Sequence, residues 1–283
     1  MASVTQQVLR IGLNHQCDDN RLIDKNQKPR IYRMAAPFRF SVCPHDTAKN
    51  LAGWFLLNTY LQRKLGLGMH FEPADNFNAE REAVLAGGAD FVYANPFSAF
   101  QYHRQRGFVP VAKPVALCDE TLLLARAGET LDPAQGLTIA SATDKLIVHF
   151  LGLTILDDLG WPLGRMRYDY VGNHLKAAQA VLTGKADAAF VFNETWNGLA
   201  ASTRANLQVL GETRRQMACH CFCVGPSLHD RLPEIQTILF DMHNDPAGKR
   251  VLDDLRFSGF APIEADAMDR LAALISEDGR AIA

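Results

Sequence analysis

The chain has 283 residues, 48% of them hydrophobic, and a formal net charge of −2 at pH 7. This length and apolar content predict one large core or two modest ones. The near-neutral charge gives no electrostatic case for nucleic acid as a partner or for an anionic membrane surface. No stretch approaches the roughly 20 apolar residues of a membrane helix. Walker, dinucleotide-binding, zincin and nucleophile-elbow motifs are absent, so nothing supports a nucleotide enzyme or a hydrolase.

The first 36 residues are polar and irregular, and we treat residues 1–36 as an N-terminal extension. Residues 1–7 show no cationic stretch followed by an apolar one, which is the pattern of a secretory signal. If Met1 is the natural start, we expect a cytoplasmic protein. The alternative is a trimmed start and a periplasmic protein.

From residue 38 onward, strand patterns alternate with helix patterns, which predicts an α/β fold. The predicted strands are 38–42, 69–73, 91–93, 109–115, 121–125, 137–140, 166–170, 188–192 and 217–224. The predicted helices are 51–65, 78–86, 146–159, one beginning near residue 174, 232–243, 246–255 and 264–276. Residues 141–144 (Ser-Ala-Thr-Asp) read as a capping sequence for the helix 146–159.

One eight-residue sequence motif occurs twice, at residues 83–90 and 180–187. Each copy reads as a helix that ends at a glycine suited to the left-handed conformation, followed by Ala-Asp and a short apolar strand. Polar residues follow both strands, at 95–98 and 193–196. In open α/β sheets ligands bind at the carboxyl ends of strands. The repeat therefore predicts two similar lobes that face each other across a cleft.

The chain crosses between these lobes near residues 116–126 and 212–224. We therefore predict a first lobe of residues 37–118 and 222–283, which includes the last three helices. The second lobe is predicted to be residues 119–221.

The order of these motifs resembles that of the phosphonate- and phosphate-type substrate-binding proteins of ABC transporters. The likeness extends over roughly residues 38–276, and Asn95-Pro96-Phe97-Ser98 stands where that family has Gly-Pro-Phe-Ser. The resemblance implies the two-lobed type II periplasmic-binding-protein fold, with mixed sheets flanked by helices and two crossover strands. It implies a binding protein, not an enzyme, that closes on a small anionic or zwitterionic ligand such as a phosphonate. The implied partner is an ABC permease or, for a cytoplasmic sensor or carrier, a regulatory protein.

The resemblance also implies ligand contacts at the ends of strands and the starts of helices. Helix N-termini offer unpaired N–H groups and a partial positive charge to an oxyanion. The candidate ligand-binding residues are Tyr93, Asn95, Ser98, Ser141, Thr143, His174, Asn193 and Glu194. The chain departs from the family at residues 142–145, where Ala-Thr-Asp-Lys replaces Ser-Thr-Ser-Gly. The acid there would repel an anion and the lysine would attract one.

A run of cysteines, Cys219-His220-Cys221-Phe222-Cys223, is not explained by the predicted ligand-binding function. Side chains two apart on a strand lie about 6.6 Å apart, whereas thiolates on one zinc lie about 3.8 Å apart. Binding one ion therefore needs a bend, or ligands from His45, Cys43 or His174. The alternative is that the three cysteines pack as small apolar side chains in a buried strand.

The run also resembles the Cys-Cys-Cys-Phe-Cys segment of thiamine-pyrimidine synthases, which implies iron. Those enzymes carry a lysine for pyridoxal phosphate and a nearby histidine after the first repeat strand, where this chain has neither. Cys219, His220, Cys221 and Cys223 are thus candidate ligands for iron or zinc. The alternative function is a metal- or cofactor-dependent enzyme on the same fold, although no cofactor is our main expectation. The crowded thiols favour a reducing compartment.

Overall fold

The computed structural model describes residues 36–276, in which strands and helices form two sheets with flanking helices. The strands are β1 (Phe38–Val42), β2 (Met69–Phe71), β3 (Phe91–Ala94), β4 (Val109–Pro114), β5 (Thr121–Arg126), β6 (Thr138–Ser141), β7 (Arg167–Tyr170), β8 (Ala188–Phe192), β9 (Leu207–Glu212), β10 (Cys221–Val224) and β11 (Phe260–Ala261). The α-helices are α1 (Pro44–Leu65), α2 (Phe77–Leu85), α3 (Pro96–Arg106), α4 (Ile147–Asp158), α5 (His174–Leu182), α6 (Asn193–Gly198), α7 (Ala201–Arg204), α8 (Leu232–Phe240), α9 (Pro246–Leu255) and α10 (Ala267–Ser276). None of the helices in this part of the chain has the length and apolar character to span a membrane. The predicted N-terminal extension lies outside the described residues.

The two sheets share one topology over five strands, and the first sheet has β11 as an additional edge strand. The first has the strand order β11-β4-β10-β3-β1-β2, and the second has β7-β6-β8-β5-β9. In the first sheet β1 is parallel to β2 and β3, and β10 is antiparallel to β3 and β4. In the second sheet β6 is parallel to β7 and β8, and β5 is antiparallel to β8 and β9. The predicted two-lobed α/β fold with mixed sheets is confirmed.

The repeated sequence motif builds the same local structure in each lobe. Asp90 accepts a hydrogen bond from the Arg39 N–H at 2.8 Å, and Asp187 accepts one from the Thr138 N–H at 2.7 Å. Each aspartate therefore fixes the start of one strand against its parallel neighbour. The helix before it ends at a left-handed glycine in both copies, at Gly87 and Gly184.

The helices of the repeat also begin alike. The Asn76 side chain caps α2, and the Asn173 side chain caps α5. The repeat therefore runs further toward the N-terminus than the eight matching residues, and it places the starts of α2 and α5 at equivalent points of the two lobes.

Each sheet has its own apolar core. Aromatic rings fill the core beneath the first sheet, where Phe91 and Phe222 stack with ring centroids 5.2 Å apart. The second sheet is covered on one face by α4 and on the other by α5.

Helix α10 packs differently from the prediction, which placed it on the first lobe. Its Leu271, Leu274 and Ile275 share one apolar cluster with Phe100 of α3 and Leu151 of α4. The last helix therefore covers elements of both lobes.

Two crossover segments connect the sheets. The first (residues 115–120) leads from β4 to β5, and the second (residues 213–220) leads from β9 to β10. Both contain a non-glycine residue with positive φ, Ala116 at 59° and Gln216 at 50°. The segments run side by side, because the Asp119 N–H donates to the Ala218 carbonyl at 2.6 Å.

Candidate ligand-binding site

A narrow cleft lies between the two lobes, at the carboxyl ends of their parallel strands. Its polar lining residues are Cys43, His45, Asn95, Asp119, His174 and His220. Its apolar lining residues are Phe77, Leu146, Ile147, Val148 and Phe192. The space open to the centre of a water molecule is only about 20 Å³, which holds one or two waters. A ligand larger than water therefore requires the lobes to separate before it can enter.

The repeat supplies matching positions on the two walls of the cleft. Phe77 and His174 are the first residues of α2 and α5. Asn95 directly follows β3, and Phe192 is the last residue of β8. The two walls are therefore equivalent in backbone position and different in chemistry.

Helices that begin around the cleft differ in how their first N–H groups are satisfied. Asparagine side chains cap α2, α3 and α5. No side chain caps α1 or α4, whose N-cap residues are Cys43 and Leu146. Thr143 bonds instead to the Lys145 N–H at 3.2 Å, so the predicted capping of α4 by residues 141–144 is wrong. The start of α4 is left open toward the cleft.

His174 is a buried polar residue of the cleft lining. The residue is 7% exposed, and its Nδ1 atom is buried without a hydrogen-bond partner among the described residues. Burial, with a smaller contribution from His45, lowers the pKa of His174 to about 3. The ring is therefore neutral near pH 7, and either ring nitrogen can carry the proton. A buried polar atom without a partner is costly, so a ligand oxygen would satisfy it.

His220 forms the floor of the cleft between two carboxylates. Its Nδ1 lies 2.9 Å from Asp46 and its Nε2 lies 3.4 Å from Asp119. Burial alone would lower the pKa of His220, but the Asp119 and Asp46 charges raise it well above its ordinary value. Burial alone would raise the pKa of Asp46, but His220 holds it at about 2. The floor is therefore an ion cluster of one imidazolium and two carboxylates, which has no positive charge left over for a ligand.

Polar contacts join the lobes on both sides of the cleft. On one rim Glu194 of α6 pairs with Lys49 and lies 3.9 Å from the His45 ring. The interaction with His45, helped by Lys49, lowers the pKa of Glu194 to about 2. On the other rim the Arg81 guanidinium donates to the Lys145 carbonyl at 3.0 Å. These contacts hold the lobes together in this arrangement.

The predicted ligand residues of the first lobe lie at different depths. Asn95 lines the cleft. Tyr93 is buried in the core, with its ring centroid 4.7 Å from that of Trp54. Ser98 is fully buried and accepts hydrogen bonds from Asn95 and Arg81. The structure therefore brings Asn95 to the cleft and places Tyr93 and Ser98 beneath it.

The predicted ligand residues of the second lobe also lie partly at the cleft and partly away from it. His174 lines the cleft and Glu194 sits at its rim. Ser141 donates to the Thr143 carbonyl at 3.4 Å, within the turn before α4. Asn193 bonds to the first crossover segment, donating to the Cys118 carbonyl at 3.2 Å. The contacts of Ser141, Thr143 and Asn193 hold loops together. Ligand contact by any of the eight predicted residues stays a prediction.

The cysteine run does not converge on one point. His220 faces the cleft, whereas Cys221 and Cys223 face an apolar cluster behind β10, with their sulfurs 3.6 Å apart. That contact is shorter than the backbone spacing predicts, and the pairing of β10 with β4 is irregular between Phe222 and Cys223. Cys219 lies in the second crossover segment.

Cys43, Asp46 and His220 have donor atoms within 4.8 Å of one another, a set that fits a metal ion in donor type. The Asp46–His220 ion pair explains the same arrangement without one. Iron or zinc stays a prediction.

We did not predict Phe77, Asp119 or Phe192 at the cleft. Phe77 carried a usable signal, because it occupies the repeat position of His174. Phe192 carried the same signal, because it occupies the repeat position of Asn95. Asp119 is brought there by the first crossover segment, and no motif marks it.

A family model described as "ABC transporter, phosphonate, periplasmic substrate-binding protein" matches residues 40–268. A search of curated proteins gave no match. The family is described as periplasmic, which does not support the cytoplasmic expectation and supports its alternative.

Solved structures share the fold at low sequence identity. PhnD1 from Prochlorococcus marinus, in complex with methylphosphonate, is 14% identical with a TM-score of 0.71, covering 86% of this chain and 98% of its own. XAC2383 from Xanthomonas citri, bound to chloride, is 18% identical with a TM-score of 0.70, and the match covers 84% of this chain and 96% of XAC2383. The aliphatic sulphonate-binding protein SsuA from Escherichia coli is 15% identical with a TM-score of 0.63, covering 86% and 92%.

Proposed function

Because the chain belongs to the phosphonate periplasmic substrate-binding proteins of ABC transporters, we propose that it delivers a small anion to an ABC permease at the outer face of the inner membrane. The proposed ligand is a phosphonate or sulfonate with a short apolar substituent. The protein closes its two lobes around this ligand and opens to release it.

His174 is the observation that carries this proposal. Its neutral imidazole is buried in the cleft with Nδ1 unpaired, so it can donate one hydrogen bond to a ligand oxygen. The start of α4 supplies further donors, because the first N–H groups of a helix lack partners and no side chain caps them here. Imidazole and helix start both come from the second lobe, which would bind the anionic group first.

The substituent of the ligand would face apolar side chains. Phe77 comes from the first lobe, and Phe192, Ile147 and Val148 come from the second. Among the described residues, the lining has no lysine or arginine, and its imidazolium, His220, is paired with two carboxylates. The site therefore offers a ligand dipoles and a neutral donor in place of an unpaired positive charge. Such a site favours a monoanion over a dianion, because each extra charge must be desolvated without compensation. Methylphosphonate and sulphonate ligands of the structural relatives fit this chemistry.

Isothermal titration calorimetry tests the proposal. The panel is methylphosphonate, ethanesulfonate, inorganic phosphate and arginine, with the protein first unfolded and refolded to remove any retained ligand. We expect saturable binding of methylphosphonate or ethanesulfonate, and weakening of at least about tenfold in H174A, the loss of one buried hydrogen bond.

The matched control is H70A, whose imidazole is 61% exposed on β2 and should leave affinity unchanged. The proposal fails if no anion of the panel binds, or if H174A and H70A bind alike.

A further inference from the structure

The two crossover segments place a pair of cysteines opposite each other. The Asp119 N–H donates to the Ala218 carbonyl at 2.6 Å, as in an antiparallel ladder. The next pair along such a ladder is Cys118 and Cys219, at a position without hydrogen bonds. Cα atoms of such pairs lie about 4.5 Å apart with side chains on the same face, within the range of roughly 4.4–6.8 Å that disulfides span.

The surroundings of this pair suit thiol chemistry. Both cysteines are partly exposed, so an oxidant can reach them. Contact with the Cys219 thiol, with help from the nearby Lys113 ammonium, lowers the pKa of Cys118. Contact with Cys118 and burial raise the pKa of Cys219. Cys118 is therefore the readier thiolate of the two.

The other described cysteines are poorer candidates. Cys221 and Cys223 are 1% and 0% exposed, and they sit two residues apart on one strand. Cys43 is also buried, which raises its pKa to about 12. Among residues 36–276, a thiol pair open to an oxidant and lying across two chain segments occurs at Cys118 and Cys219.

We propose that Cys118 and Cys219 form a disulfide that ties the two crossover segments together. The oxidant is a disulfide, either of an oxidoreductase or of a small thiol. The Cys118 thiolate attacks one of its sulfurs and expels the first thiolate. The Cys219 thiolate then attacks the Cys118 sulfur and expels the second. The two cysteines lose two electrons and two protons, and the oxidant becomes two thiols.

The disulfide would lie directly behind the floor of the ligand cleft. Asp119 and His220, next in sequence to the two cysteines, point to the opposite face and pair at 3.4 Å. A covalent bond between the two segments would therefore keep Asp119 and His220 paired while the lobes move. Its occurrence in the cell rests on the proposed periplasmic location, since the periplasm is oxidising. Formation of the disulfide in purified protein does not depend on that location.

Peptide mapping of the full chain tests this inference. Protein reduced with dithiothreitol and desalted is incubated with oxidised glutathione, blocked with iodoacetamide and digested without reduction. We expect two of the six thiols to disappear and a cross-linked peptide containing Cys118 and Cys219. The melting temperature of the oxidised protein should rise by roughly 5 °C or more, since the bond closes a long loop. C118S and C219S should each show no rise on oxidation.

Six free thiols after oxidation would overturn the proposal. So would a glutathione adduct without a cross-link, or a bond that maps to Cys221–Cys223 or to Cys17. Mapping is done on the wild-type chain, so the result stands even if a serine variant does not fold. Titration of the reduced protein with methylphosphonate tests the proposed function separately, because that measurement does not depend on the disulfide.

Discussion

At the scale of single residues, burial changes the charge of several groups, and Glu80 is the clearest case. Its side chain is 1% exposed and accepts a hydrogen bond from the Tyr102 hydroxyl at 2.6 Å. Burial raises the pKa of Glu80 to about 7, against the opposing effects of Tyr102 and Arg81. The folded protein therefore binds a proton there that the unfolded chain has lost between about pH 4.5 and 7.

This shift predicts a pH-dependent stability. Because the folded pKa lies above the unfolded value, the contribution of Glu80 to the free energy of unfolding falls as pH rises from about 4.5 to about 7. The loss is on the order of 2–3 kcal/mol. E80Q, which keeps an acceptor for Tyr102, should remove this fall in urea titrations at pH 4.5, 5.5, 6.5 and 7.5.

The control is E72Q, whose side chain is 83% exposed. An E80Q profile parallel to that of the wild type and of E72Q would contradict the assignment. His174 acts with the opposite sign, because its lowered pKa favours the folded state as pH rises through about 6.5. Because His174 is unchanged in the wild type, E80Q and E72Q, its contribution cancels when their pH profiles are compared.

The site shows how far single residues can be predicted. His174 was found because it follows a strand end and opens the second repeat helix, and both features are local. Tyr93 and Ser98 were placed by the same logic and lie beneath the cleft, since alternation along β3 and the turn of α3 direct them inward. Asp119 carries no motif, and it reaches the cleft through the path of the first crossover segment.

At the scale of elements, the asparagine caps of the repeat helices make a direct test. Asn173 accepts from the Lys176 N–H at 2.8 Å, and Asn76 accepts from the Ala79 N–H at 3.0 Å. N173A and N76A should each lower the free energy of unfolding by about 1 kcal/mol, and N173S should restore most of the loss. Equal stabilities of N173A and wild type in urea melts would show that the cap has no such role.

Helix α4 depends on close contact with the sheet at Gly152. A Cβ atom added there would lie 2.4 Å from the Phe190 ring, which is itself fully buried. G152A should therefore cost about 1–3 kcal/mol, whereas G164A, with no atom within 4 Å of its added Cβ, should change stability by less than about 0.5 kcal/mol. Thermal unfolding of both variants measures the difference, and equal melting temperatures would contradict this packing.

The elements were predicted best where local signals agreed. Each repeat combines helix periodicity, a left-handed glycine and an apolar strand, and the structure has all of these. The predicted helix start at residue 51 agrees with a kink in α1, because Asn50 has non-helical dihedral angles and accepts a hydrogen bond from the Gly53 N–H at 2.9 Å, as an N-cap residue does. The short helical piece before the kink was not predicted, and it begins at Pro44, a position that proline favours. The start of α4 was predicted to within one residue, but its cap was not, because Thr143 caps a turn instead of the helix.

At the scale of the whole molecule, the proposed function requires lobes that open and close. Glu194 joins the lobes through Lys49 and His45. E194Q should weaken ligand binding by about two- to tenfold, chiefly through faster dissociation, since the closed form loses a cross-lobe ion pair. Stopped-flow kinetics with the tightest anion of the panel measures this.

The control for E194Q is E129Q, because Glu129 pairs with Arg126 on the same lobe. It should leave the dissociation rate unchanged. Equal dissociation rates for E194Q and wild type would show that the rim contacts do not govern closure.

A crystal structure of the complex with methylphosphonate would show whether the two lobes close on a phosphonate. We predict the phosphonate between the lobes, with one oxygen about 3 Å from His174 Nδ1, others at the first N–H groups of α4, and the methyl group toward Phe77 and Phe192. Binding instead at the open depression beside α5, around Lys176 and Lys185, with no ligand between the lobes, would contradict it.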